Sequence, residues 1–324
     1  GDILINMDSE TEGELYVGCA GGIDTCGYFT PKFEDVPAGS KAFQLVVKGL
    51  KGGHSGMDII LGRANANKVM NTLLLMLTEK YNARVADIQG GSLRNAIPRE
   101  SFVTVTVPEK YADQLVAYIP EFEEVVKEQF AAVEPDMSIT AAPTEMPAKV
   151  MDKETIANVI EAVAKYPNGV IAMSKDFEGT VETSSNLAIV KLVDGQIMTA
   201  SLQRSLVDAS KEELAEKMRK LLENCGAKAE SSGSYPGWKP NINSVIYNTM
   251  KKVYEDKYGK TPKTMVIHAG LECGILGSKY PNWDMVSFGP TLVFPHSPDE
   301  ALKIDTVPLF WDFLVETLKN VPVK

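Results

Sequence analysis

At 324 residues, with 44% hydrophobic and 23% charged residues, the chain has the make-up of an ordinary globular protein long enough for two cores. A net charge of −10 without any basic run argues against a nucleic-acid partner, and the longest apolar runs, "VIAM" and "MVSF", are far too short to cross a bilayer. Four scattered cysteines (Cys19, Cys26, Cys225, Cys273) with no C-x-x-C pair read as the reduced thiols of a cytoplasmic protein.

The opening "GDILINMD" carries neither the charged n-region nor the h-region of a signal peptide. It reads as an apolar strand that needs neighbours, so preceding segments of a sheet are expected. Residues 3–7 and 14–19 are strands separated by the acidic stretch "MDSETEGE", and a Gly-rich turn "CAGGID" follows. After residue 40 the pattern changes. "AFQLVVKGL" alternates like a strand, and "MDIILGRANANKVMNTLLLMLTEK" has helical spacing. "ARVADIQGG" and "SFVTVTVP" are strands, "YADQLVAYIPEFEEVVKEQFAAV" a helix and "DMSITAAPT" a strand. That βαββαβ order is ferredoxin-like.

A second pass of similar order runs through a helix at "DKETIANVIEAVAKY" and a hairpin turning at Asp194-Gly195. It closes with a helix capped by Ser210 and the strand "AKAESSGSY". Beyond the linker "YPGWKPN", strands alternate with helices as in a mostly parallel α/β layer. The expected architecture is an α/β domain made of residues 1–40 and 234–324, interrupted by an α+β lid of two ferredoxin-like halves over 41–233.

Five stretches carry residues suited to chemistry. Asp8 is the first charged side chain beyond the first strand, where α/β sheets bind ligands, or simply part of an acidic turn. His54, in "KGGHSG", sits among glycines that bare an imidazole, against the alternative of a helix-opening turn. Asn95 and two arginines occupy the tight connection "GGSLRNAIPRE", and Arg204 ends a strand; both also read as ordinary turn and surface positions. His268 and Glu272 lie in "VIHAGLECGIL", where a helix N-terminus suits a substrate carboxylate. His296, one of only three histidines, stands in a Pro-His-Ser-Pro turn, either structural or a metal ligand on a rigid loop.

Five segments in order, "INMDSETEGELYVGCAGGID", "GLKGGHSGMDI", "GGSLRNAIPRE", "IHAGLECGIL" and "GPTLVFPHSPDEAL", resemble the aminoacyl-histidine dipeptidases, also called cytosol nonspecific dipeptidases. The resemblance runs the length of the chain. It implies a two-zinc metallopeptidase with an inserted lid, cobalt or manganese being alternative metals. By the same resemblance His296 and Asp8 match terminal ligands of the two metals. His54 matches the lid histidine that polarises the scissile carbonyl, in related enzymes in the partner's active site. Asn95 and Arg204 match lid positions that hold the substrate backbone and its free carboxylate. A dipeptide substrate and a homodimer formed through the lid, by the strand after Ser40 and the helix beginning near Met57, follow as expectations.

The chain departs from that family in one respect. The H-x-D motif, the bridging aspartate and the Glu-Glu pair that supplies the general base are absent; Glu123 and Glu124 fall on a lid helix. Two of five protein donors remain, too few to retain a two-zinc centre. The chain is therefore expected to be the C-terminal two-thirds of a dipeptidase and inactive alone, with a non-catalytic dimerisation or binding module as the alternative.

Overall fold

The computed structural model describes residues 1–293 and 300–322, so His296 lies outside the described residues. Among those described are seven α-helices: α1 (Ala66–Tyr81), α2 (Ala112–Phe130), α3 (Lys153–Lys165), α4 (Asp208–Asn224), α5 (Val245–Tyr258), α6 (Glu272–Lys279) and α7 (Thr306–Asn320). Two sheets dominate, and each has its own core.

The smaller sheet runs Ile3–Asn6, Asp284–Ser287, Glu14–Cys19, Lys263–Ile267. Its outer pairings are parallel and its central one antiparallel, a mostly parallel layer as expected. Leu15 and Val17 point into a cluster completed by Ile246 and Met250 of α5, Val286, and Phe313 of α7. Burying such side chains contributes roughly 1.5–3 kcal/mol each, so α5 and α7 are held by packing on this one sheet.

The larger sheet resolves into two copies of one order. Ser40–Lys48, α1, Arg84–Gly90, Ser101–Pro108, α2 and Ser138–Pro143 form the first, with sheet order fourth, first, third, second strand. The second has the same order, with Val181–Val193, Gln196–Ser205 and Lys228–Tyr235 as its last three strands and α3 and α4 as its helices. Its first strand is Gly21–Phe29, antiparallel to both Gln196–Ser205 and Lys228–Tyr235. The halves meet where Gln89 and Gly90 pair with Lys191 and Val190. The Asp194-Gly195 turn has φ of 50° and 77°, the paired positive values of a type I′ hairpin.

Three sequence expectations change. The Gly-rich turn expected over residues 19–24 is instead the start of a lid strand, Gly21–Phe29, so the chain leaves the smaller sheet at Cys19 and not near residue 40. The glycines there serve close packing, as described below. The helix expected from Met57 begins at Ala66, because Asn65 caps it by accepting from the amides of Asn67 and Lys68, an arrangement worth about 1 kcal/mol. Ser210 lies inside α4, whose first residue is Asp208.

The expected dimer contact also meets an obstacle. Ser40–Lys48 has both edges paired within the chain, to Ser138–Pro143 and Ser101–Pro108. Three of the four leucines of α1 (Leu73, Leu74, Leu77) are buried in the lid's own core, and Leu75 packs against it partly buried. On another side of α1, Asn71 donates to the Ile160 carbonyl of α3 at 3.1 Å, and Lys68 donates to Val163 at 2.7 Å. A helix clasped on two sides needs more apolar surface than one lying on a sheet, which accounts for its composition.

Candidate active site

The helices cover one face of the second half, and the other face forms a floor. Arg204 pairs across the strands with both Gly22 and Ser184, and Leu202 with both Asp24 and Asn186. Alternation puts all these side chains on the helix-free face, while Thr25, Ser201 and Gln203 point the other way. Polar side chains in the middle of buried strands are costly unless something meets them.

His268 descends on this floor from the end of Lys263–Ile267. It is buried, and Ser184 Oγ and His268 Nε2 are joined by a 2.7 Å hydrogen bond. Burial, with the Arg204 charge as the second cause, pushes the imidazole down to about 3, so the ring is neutral at physiological pH. Arg204 is also buried. Burial lowers its affinity for the proton, opposed by nearby Tyr235 and Asp24, and the guanidinium remains charged. Its Nη1 donates to the Tyr235 hydroxyl at 2.7 Å. Asp24 accepts from Arg94 at 2.6 Å, and burial of its carboxyl raises its pKa against the pull of that arginine.

The walls come from the first half. Gly53–His54 pairs with Ala96–Ile97, and the Asn95 carbonyl accepts from the Ser55 amide at 2.8 Å. Asn95 therefore steadies the His54 turn through its backbone, while its side chain is exposed. Asn186 ties this wall to the floor by donating to the Ala96 carbonyl at 2.7 Å. His54 Nδ1 accepts from the amides of Gly56 (3.2 Å) and Met57 (3.1 Å). With that lone pair engaged, the neutral ring carries its proton on Nε2 and presents an N–H donor. Gly56 touches the His268 turn so closely that a Cβ there would collide with the His268 carbonyl oxygen. His54, His268 and Arg204 thus converge within one chain.

Several buried polar atoms here have no hydrogen-bond partner among the described residues. They are Arg204 Nε, His268 Nδ1, Asn186 Oδ1, Asp24 Oδ1 and, beside His54, Ser55 Oγ. Unpaired buried groups cost about 1–3 kcal/mol each, so their concentration here makes this the candidate site for a polar ligand.

Asp8 and Glu272 stand toward the smaller sheet. Glu272 accepts from Asn6 Nδ2 at 3.3 Å, which links the start of α6 to the end of the strand that precedes Asp8. Asp8 is exposed. No group of three or more His, Cys, Asp or Glu side chains able to hold a metal ion forms among the described residues, which do not include His296. Ser184, Asn186, Asp24 and Tyr235 were not singled out from sequence. The polar run "ETSSN" inside an otherwise apolar strand was the available signal for two of them.

A family model described as a peptidase dimerisation domain matches residues 46–134, most of the first lid half. The cytosol non-specific dipeptidase of Escherichia coli is 42% identical over the whole chain, which covers 67% of that relative. In solved structures, an aminoacylhistidine dipeptidase from Vibrio alginolyticus is 46% identical and superposes with a TM-score of 0.93 over all of this chain and 66% of its own. The chain belongs to the cytosol non-specific dipeptidase family of peptidases and spans about two-thirds of the length of these relatives.

Proposed function

We propose that the protein containing this chain is a metal-dependent dipeptidase, acting on Xaa-His or a broader set of dipeptides, and that Arg204 and His268 receive the substrate's free carboxylate. One observation carries this reading: a buried guanidinium whose Nε has no partner among the described residues, set beside the neutral imidazole of His268. A carboxylate supplies an acceptor for that N–H, and Arg pairs with carboxylates in two-pronged fashion. His54, presenting Nε2–H from the adjacent wall, donates to the carbonyl oxygen as negative charge develops there. Asn95 holds the turn that aims it. Glu272, at the first turn of α6, sits where it would face the substrate's other end.

The larger sheet with its four helices is the lid, and residues 1–20 with those from 236 onward form part of the catalytic domain. Asp8 and His296 are the metal donors this chain would contribute, with zinc the expected ion and cobalt or manganese alternatives. The metal would supply the attacking water. The missing donors make the 324-residue chain inactive alone. A homodimer through the lid is supported by the dimerisation-domain match and by apolar side chains left exposed there, Ile60, Leu61, Ile171 and Met173. The free cysteines and the likeness to the cytosol non-specific dipeptidase of Escherichia coli support a cytoplasmic setting; among the described residues no helix is long and apolar enough to cross a membrane.

The test compares free dipeptides with their C-terminal amides, using the metal-loaded full-length protein. Dipeptides should turn over with a much higher kcat/KM than their amides, and Arg204→Lys should raise KM for dipeptides about tenfold or more, since a lysine cannot reproduce the fork. The 324-residue chain should give no turnover. Equal hydrolysis of amides would sink the carboxylate assignment.

A further inference from the structure

We infer that Tyr235 is a positioning residue for the carboxylate receptor, setting which edge of Arg204 faces the substrate. The inference rests on the reading of Arg204 given above. Tyr235 is the last residue of the strand Lys228–Tyr235, at the point where the chain leaves the lid.

Three features fix its ring. It lies over Gly22, where any Cβ would collide with the phenol, and against Gly270, where a Cβ would come within 3.0 Å of the ring. Gly22 belongs to the lid floor and Gly270 to the turn after His268, so the ring is wedged between the two parts that make the site. Its backbone is held as well: the buried Lys211 Nζ donates to the Tyr235 carbonyl at 2.8 Å. Just beyond, the Gly237 amide donates to Asp208 at 3.0 Å, and Trp238 exchanges backbone hydrogen bonds with Cys19 at the end of the smaller sheet.

This anchored ring offers its hydroxyl to Nη1 of Arg204. Nη1 lies on the Cδ side of a guanidinium, and the opposite side, bearing Nε, is the one that meets a carboxylate side-on with two parallel bonds. Nε is buried and has no partner among the described residues. Occupation of Nη1 by Tyr235 therefore leaves the side-on edge open and keeps the guanidinium from rotating that edge away. Asp24 accepts from Arg94 through Oδ2, and its Oδ1 makes no hydrogen bond to Arg204.

The variant is Tyr235→Phe in the metal-loaded full-length protein, which keeps the wedged ring and removes only the hydroxyl. The expected result is a rise of about tenfold in KM for free dipeptides, with kcat within about twofold of the parent. The ratio of kcat/KM between a dipeptide and its C-terminal amide should shrink correspondingly. A purely structural role would lower both substrates equally and leave that ratio unchanged, and that result, or an unchanged KM, overturns the proposal. Arg204→Lys is the companion. If it collapses the ratio while Tyr235→Phe does not, the carboxylate receptor stands and the role of Tyr235 falls. If neither moves the ratio, the receptor itself is wrong.

Discussion

The two halves of the lid share a strand order but differ in what their helix-free faces do. In the first half that face carries Gln44 and Lys48, both exposed, Phe102 and Thr104, both half-buried, and buried polar side chains only at its far end, Thr106 and Arg84. In the second it carries Ser184, Asn186 and Arg204, all buried. The first half contributes to the site through a loop edge, Gly53–His54 against Ala96–Ile97, and the second through its strands. A shared topology therefore says little about where chemistry sits. Burial of polar groups against a neighbouring element says more.

The largest way to test that contrast is to cut each half's contribution in the full-length protein. His54→Ala removes one oxyanion donor and should lower kcat by about two to three orders of magnitude, with KM nearly unchanged and bound metal per chain unaltered. Gln44→Ala, on the open face of the same half, should leave both constants within about twofold. Metal loss in the His54 variant, read by elemental analysis, would place that histidine in the wrong role.

A smaller effect separates the halves at their edges. The second half carries an added strand, Gly169–Met173, paired on one side with Val181–Val193, for which the first half has no counterpart among the described residues. Ile171 on it is 44% exposed. If this edge contributes to the homodimer, Ile171→Asp should weaken self-association about tenfold in sedimentation experiments, with activity per folded chain retained. An unchanged sedimentation profile would move the interface elsewhere.

The smallest effect is on stability. His268 titrates normally near 6.5 when unfolded and is held down to about 3 in the fold, chiefly by burial. The unfolded chain thus binds more protons between those values, and stability rises with pH there. What the neutral ring contributes is complete above about pH 6.5 and is lost as pH falls toward 3. The melting temperature should drop by a few degrees from pH 7 to pH 5, and His268→Gln should flatten that slope. An identical slope in the variant would mean that His268 is solvated.

How much of this was visible beforehand depends on whether the signal was local. The Asp194-Gly195 hairpin was legible because its turn demands positive φ at both residues. The motif resemblance led to His54 through a contiguous block, "GLKGGHSGMDI", whereas Arg204 lies in none of the five segments and stood out only as a charged strand end. Gly21 and Gly22 misled, since glycine marks a turn and a close approach with the same letter. What they approach, Tyr235 and the strap after it, lies more than 200 residues away. His268 was noticed, but not its partner Ser184 or its depressed proton affinity, both of which are created by strand pairing. Polar positions inside "VETSSNLAIV" were readable as anomalies. The face they occupy depends on the register with Gln196–Ser205, which no local pattern specifies.

The first lid half is inserted between the first strand and the first helix of the second, and this has a consequence for how the chain assembles. During synthesis Gly21–Phe29 emerges early, yet Phe29 finds its partner only when Ile197 has been made. The intervening half has all its own strands and both helices and can collapse meanwhile. The strand that supports Arg204 from below must wait, with apolar Ile23 and Phe29 uncovered, until nearly the whole lid exists. Such a distant pairing is slow to close. Conditions that stall elongation after the first half, or a chaperone-poor host, should therefore yield molecules whose first half is native while the floor of the site is unmade.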